Sequence, residues 1–178
     1  MKPNLLLKHK HGAIIHAAFA LLFLLTTMTL KAQTPADFSG KWEFDKSRSG
    51  PDVAEPNYDG TVILEIAQSA TNISFVEIYI HPDRSDWKTS AELYNLDGKE
   101  QVRKDNSGTN RRSTRWARDK KVLTITNLDT QTEDGVSQDF SVVDSLALSD
   151  AGQTLTIDRY RKNPVTGETR AKKVYRKK

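Results

Sequence analysis

The chain has 178 residues, 27 basic side chains against 23 acidic ones for a formal net charge of +4, and no cysteine. Disulfide bonding, thiol chemistry and acylation on an N-terminal cysteine are therefore excluded, so stability outside a reducing compartment must come from burial of apolar side chains. The length suits one ordinary domain.

Met1 to Lys10 carries Lys2, Lys8 and Lys10 with no acid, and an apolar stretch follows from Gly12 to Leu30, unbroken between Ala17 and Leu25. A basic start before an apolar run is the pattern of a secretory signal peptide. The run softens at Thr26 and Thr27, and Leu30 and Ala32 precede Gln33, so cleavage is expected after Ala32. An uncleaved anchor is the competing reading, because the stretch approaches the length of a membrane span although His16 interrupts it. Residues 1–32 hold four lysines, both methionines and three of the four histidines, which leaves 23 basic against 23 acidic residues in the remainder. The overall charge therefore makes no case for nucleic acid as a partner. Residues 33–37 read as a short linker and 38–178 as the domain.

From Phe38 onward, short β-favouring runs alternate with turn residues, and no stretch holds helical spacing for long. Ten strands are expected, over Gly40 to Asp45, Thr61 to Gln68, Ile73 to Ile80, Lys88 to Leu96 and Glu100 to Lys104, then Arg111 to Arg118, Val122 to Asn127, Phe140 to Leu148, Thr154 to Arg161 and Thr169 to Arg176. Asp97-Gly98 has the chemistry of a tight hairpin. Ala70-Thr71-Asn72, Ser149 to Gly152 and Asn163 to Gly167 are further turns. Lys46 to Asp59 and the polar stretch Asp129 to Gln138 read as irregular. Short connections make sequence neighbours pair antiparallel. The fold class is therefore all-β, an antiparallel up-and-down meander of about ten strands, and closing or nearly closing the sheet into a barrel would remove its edges.

Alternation places Val62, Leu64 and Ile66 on one face, and Phe140, Val142, Leu146 and Leu148 on another, with Asp144 out of place among them. Leu155 and Ile157 share a face that carries Arg159 and Arg161 further along. A carboxylate in apolar surroundings needs a partner, and Arg159 on the following strand is the candidate for Asp144.

Asp37-Phe38-Ser39-Gly40-Lys41-Trp42-Glu43-Phe44-Asp45 resembles the opening of lipocalin-like and fatty-acid-binding-protein-like barrels. In those families a Gly-x-Trp on the first strand lays an indole across the barrel floor beneath a basic residue of the last strand. The resemblance implies a lipocalin-like barrel with Trp42 as floor and Arg159, Arg161, Arg170 or Arg176 as the cation. With the steps Trp116 to Thr126 and Leu148 to Ile157, the chain is also similar to small secreted β proteins of Gram-negative bacteria. That likeness implies a fold and a capacity for binding, while the signal peptide implies a periplasmic or extracellular location.

No residue pattern calls for a cofactor or a metal. His81, before Pro82 and Asp83, is the one histidine after residue 32, and a usual zinc site needs three or four ligands. No serine lies in Gly-x-Ser-x-Gly. Charge is nevertheless polarised, with residues 33–105 holding 8 basic and 14 acidic side chains and residues 106–178 holding 15 and 9.

Two functions follow as expectations. The first is a non-enzymatic binding protein for a small apolar or amphipathic ligand, with Trp42, Asp144, Arg159 and Arg161 at the site and Lys46 to Asp59 as a lid. An interior cavity of roughly 300 Å³ or more with few charges would favour it. The second is an envelope interaction module whose basic C-terminal hairpin, through Arg170, Lys172, Lys173 and Arg176, meets an anionic glycan, lipopolysaccharide or a protein. Solvated strand faces are the bland reading of the same charges.

Overall fold

Alternating apolar residues separated by turns give a single antiparallel sheet of eleven strands. The computed structural model describes residues 33–50, 60–83, 86–106, 108–133 and 135–178. The signal peptide and the cleavage point after Ala32 lie outside these residues. Thr34–Lys178 forms one compact unit. Its strands are β1 (Gly40–Phe44), β2 (Thr61–Gln68), β3 (Asn72–Ile80), β4 (Trp87–Lys88), β5 (Glu92–Asn95), β6 (Gln101–Asp105), β7 (Gly108–Trp116), β8 (Val122–Glu133), β9 (Val136–Ser149), β10 (Thr154–Asn163) and β11 (Gly167–Lys177). They run in the order β4-β3-β2-β1-β11-β10-β9-β8-β7-β6, with β5 also on β3. All neighbours are antiparallel, and the first and last strands pair, Trp42 opposite Lys177 and Phe44 opposite Tyr175.

Three features differ from the expectation. The run from Lys88 to Leu96 is broken into β4 and β5, both on β3. Thr89 keeps the wall continuous, its amide donating to Glu77 O and its hydroxyl accepting from Glu77 N. Asp129 to Gln138 is no loop but the tip of the β8–β9 hairpin, paired from Val122–Ala147 up to Glu133–Val136. Its inward residues Asp129, Gln131, Phe140 and Val142 line an open recess, so this arm needs no apolar alternation to be stable as a strand.

The third difference decides closure. Asp97-Gly98 makes a turn, with Gly98 at φ +74° and the Lys99 amide bonded to Asp97 Oδ1, but β5 pairs with β3 and β6 with β7, not with each other. The sheet is therefore not closed by a hydrogen-bond ladder, so the closed barrel is not formed. Side chains link β5 to β7 and β8 instead: Thr114 Oγ1 donates to Asn95 O at 2.6 Å, and Asn127 Nδ2 to the Tyr94 hydroxyl at 3.3 Å.

Burial follows the expected faces in part: Phe140, Val142 and Leu148 of β9 are only half-buried, and Ile63 on the opposite face of β2 is buried too. Val62, Leu64, Ile66, Leu146, Leu155 and Ile157 are all buried, and they join Phe38, Trp42, Ile73, Leu123 and Tyr175 in the core. Phe38 stacks on Trp116 with ring centroids 5.9 Å apart. Side chains of this size contribute about 1.5–3 kcal/mol each on full burial, which is how a chain without disulfides holds one core.

Where β1 ends, Asp45 organises the turn that follows. Its carboxylate accepts from the Ser47 hydroxyl at 2.6 Å and from the Ser47 and Arg48 amides, and Arg176 Nε lies 3.2 Å away. The Ser47 hydroxyl above all, then Arg176 and the two amides, hold this carboxyl below the usual aspartate range. Asp150 is lowered chiefly by the Thr154 hydroxyl and then by Arg48, and Asp37 by Ser39. A depressed carboxylate contributes stability above its unfolded-state pKa and loses it as pH falls through its native one. The thermal midpoint is therefore expected to fall with pH below about 4, the unfolded aspartate value. Asp45→Asn should make that fall shallower in pH-stepped calorimetry, and an unchanged acid limb would count against the assignment.

Candidate functional site

A cavity of about 190 Å³ lies inside the curled sheet, between a wall from β2, β3 and β5 and a wall from β8 to β11. Its apolar lining comes from Leu64, Phe75, Ile125, Leu146 and Ile157, with the rings of Tyr94 and Tyr175. Alternation on β3 points Ile73, Phe75, Glu77 and Tyr79 to one side, and the register sets Phe75 opposite Glu92 and Tyr79 opposite Trp87. One wall therefore presents the carboxylates Glu77 and Glu92 among aromatic rings. The other presents Asp144, Arg159 and Lys173.

Asp144 and Arg159 are direct cross-strand partners. Arg159 Nε meets Asp144 Oδ1 at 2.7 Å and its second guanidine nitrogen meets Oδ2 at 2.8 Å, the bidentate geometry that makes arginine–carboxylate pairs strong. Hydrogen bonding to Asp144 pushes the guanidinium pKa further up, against the opposing effect of burial. Lys173 Nζ lies 3.9 Å from Glu77 Oε1. Tyr79 donates to Glu77 at 2.8 Å and Tyr94 to Glu92 at 2.7 Å. Burial first, and Glu92 second, push the Tyr94 hydroxyl up to about 12, so it remains a donor near neutral pH. Because its proton goes to Glu92, Tyr94 accepts from Asn127 Nδ2, and Asn127 Oδ1 is left buried with no partner among the described residues.

Trp42 is fully buried, its Nε1 donating to Phe38 O at 2.8 Å. The cation above it is Lys177, with Nζ 5.1 Å from the indole, and not one of the four arginines that the resemblance offered. Gly40 makes room for this lysine, because a Cβ there would lie 3.3 Å from Lys177 Cε, and its φ of +132° disfavours any other residue. Gly40→Ala is expected to cost about 2 kcal/mol from backbone strain and the displaced lysine. Chemical denaturation measures it, and a loss below about 0.5 kcal/mol, the scale of a neutral surface change, would refute the packing role.

Trp42 does not line the cavity, although Leu64, its partner across β1 and β2, does. Arg161 lies apart, in the open recess with Asn127, Asp129 and Phe140. The lid expected over Lys46 to Asp59 is described only to Gly50. That part runs beside β11, with Gly50 N on Lys172 O and Val174 N on Ser49 Oγ, and contributes nothing to the cavity lining. Residues 51–59 lie outside the described residues.

The four basic residues expected to form one surface are divided by strand alternation. Lys173 faces the cavity. Arg170 lies over the Tyr160 ring at 4.9 Å, Lys172 is opposite Asp158, and Arg176 meets Asp45. His81 accepts from the Asp83 amide through Nδ1, as a turn residue does. Among the described residues no group of His, Cys, Asp and Glu is arranged to hold a metal, and no helix is long and apolar enough to cross a membrane.

Glu77, Glu92, Tyr94 and Phe75 were not anticipated as site residues. Period-two alternation on β3 was the signal that could have found Glu77, which falls between Phe75 and Tyr79 on the inner face. No protein-family model matches the chain, and no curated protein matches it.

Proposed function

We propose that the protein is an exported, non-enzymatic binding protein of lipocalin-like build that holds a small amphipathic ligand in the interior of its curled sheet. The carrying observation is the cavity itself, with an apolar floor of Leu64, Ile125, Leu146 and Ile157 and charged groups on two facing walls. Its volume of about 190 Å³ is below the usual range for drug-sized ligands, and five of its lining residues are charged. The cavity therefore meets neither the size nor the low charge expected to favour an apolar ligand, leaving a short ligand with a polar head as the proposed occupant. Export rests on the basic and apolar start of the chain.

Native mass spectrometry of protein taken from its own compartment tests this reading. The expected result is a low-mass species retained in the native ion and released on unfolding. Bare protein mass throughout, with no shift in melting temperature on adding short amphiphiles, would overturn it.

A second reading, the envelope interaction module, draws on the open groove outside β9 to β11 that Tyr160, Arg170 and Lys172 help to line. Of its cations, Arg170 lies over the Tyr160 ring, and Lys172 is set opposite Asp158 by the strand register. Binding to anionic vesicles that disappears in the Arg170→Gln, Lys172→Gln double variant would favour this reading instead.

A further inference from the structure

The hydrogen-bond and charge balance of the cavity is lopsided. Its lining carries three carboxylates, Glu77, Glu92 and Asp144, against two cations, Arg159 and Lys173. Asp144 is taken up by Arg159 in the bidentate pair, and Lys173 is the cation that reaches Glu77. Glu92 is the carboxylate left over. Its one bonded partner among the described residues is the Tyr94 hydroxyl, and an ionised carboxylate has about four acceptor positions to fill. The nearby Arg112 reaches no cavity carboxylate in any ion pair among the described residues. Its guanidinium lies over Tyr94 at 5.6 Å and is bonded to Asn110.

Asn127 Oδ1, a buried acceptor with no donor among the described residues, belongs to the open recess with Arg161 and not to the cavity, so the case for a ligand that brings positive charge rests on Glu92 and the charge balance of the lining.

Beyond the lining rings of Phe75 and Tyr94, further aromatic surface lies on the same face of β3, past Glu77. Trp87 stacks on Tyr79 with centroids 4.0 Å apart and planes 2° from parallel, and still exposes 51% of its surface. Thr89, two residues on from Trp87, lines the cavity. Tyr79 in turn is anchored by its hydroxyl to Glu77. An indole face is the best aromatic partner for a cation and also accepts a flat apolar body.

We infer that the cavity takes a singly charged organic cation, a small primary amine on a flat apolar body, with the ammonium beside Glu92 and the body against the Phe75, Tyr94 and Trp87 rings. This rests on the reading of the cavity as a ligand site.

Three probes sharing one ring test it: 2-phenylethylamine, 2-phenylethanol and phenylacetate, followed by calorimetry and by tryptophan fluorescence. The amine is expected to bind about tenfold tighter than the alcohol, the scale of one added charge pair, with phenylacetate weakest. Amine affinity should fall as salt is raised, because the site is partly exposed. Glu92→Gln is expected to lose the preference for the amine over the alcohol, and Glu92→Asp, which keeps the charge, to retain it. Phenylacetate or the alcohol binding as tightly as the amine would overturn the inference and leave the ligand-binding reading standing. So would an amine preference that survives in Glu92→Gln. If none of the three binds and no ligand is retained in native mass spectrometry, the reading of the cavity falls and this inference falls with it.

Discussion

Trp42→Ala is expected to lower the unfolding free energy by about 4 kcal/mol, as large aromatic-to-alanine changes in a core do. That is a fall of about 10 °C in melting temperature for a domain of this size. The indole is fully buried and is one of the largest such side chains in the protein. Its removal opens a void beside Phe38, leaves Phe38 O without the Nε1 donor and strips Lys177 of the ring beneath its ammonium. These losses fall on β1, a five-residue strand that joins the two halves of the sheet. Trp42→Phe should cost about half as much, since it keeps most of the buried area and loses the hydrogen bond. Urea titration followed by circular dichroism measures both variants. A loss below about 1 kcal/mol in the alanine variant would mean that the core collapses around the gap.

Asp144→Ala comes next in size. Removing one partner of a buried pair leaves the other charge uncompensated, at about 3–5 kcal/mol. Asp144 retains 13% side-chain exposure and Arg159 31%, so water offsets part of the cost and about 2–3 kcal/mol is expected. The double variant Asp144→Leu, Arg159→Met should recover most of it, because no charge then remains buried. A double variant as unstable as the sum of the two single ones would show that the residues do not act as a pair.

The strands were legible where burial in the core acts on one face, as with Val62, Leu64 and Ile66 on β2 and Leu155 and Ile157 on β10, although Ile63 is buried as well and β9 fully buries only Leu146. Legibility stopped where that pressure stops. The tip of the β8–β9 hairpin faces an open recess, so Asp129 and Gln131 serve as strand residues although their composition is that of a loop. The break between β4 and β5 had no Gly or Pro to mark it, and Thr89 bridges it through Glu77. Asp97-Gly98 has hairpin chemistry, yet the chain uses it to leave one edge of the sheet and start the other. At the site, the pairing of Asp144 with Arg159 was readable because both break an apolar face on adjacent strands. Lys177 over Trp42 was not, since it depends on the β1–β11 register, and neither was the exclusion of Trp42 from the cavity. Glu92 emerges only from the tally of which carboxylates already have cations, and no single strand contains that information.

The pairing of β1 with β11 also bears on how the chain reaches its native state. Every other strand pairing joins segments close in sequence, which can form early as local hairpins, whereas this one must bring together residues from opposite ends of the unit. Closing so long a loop is entropically slow. The seam is therefore expected to form late, and because it contains Trp42, the entry of that indole into the core marks the final step of assembly.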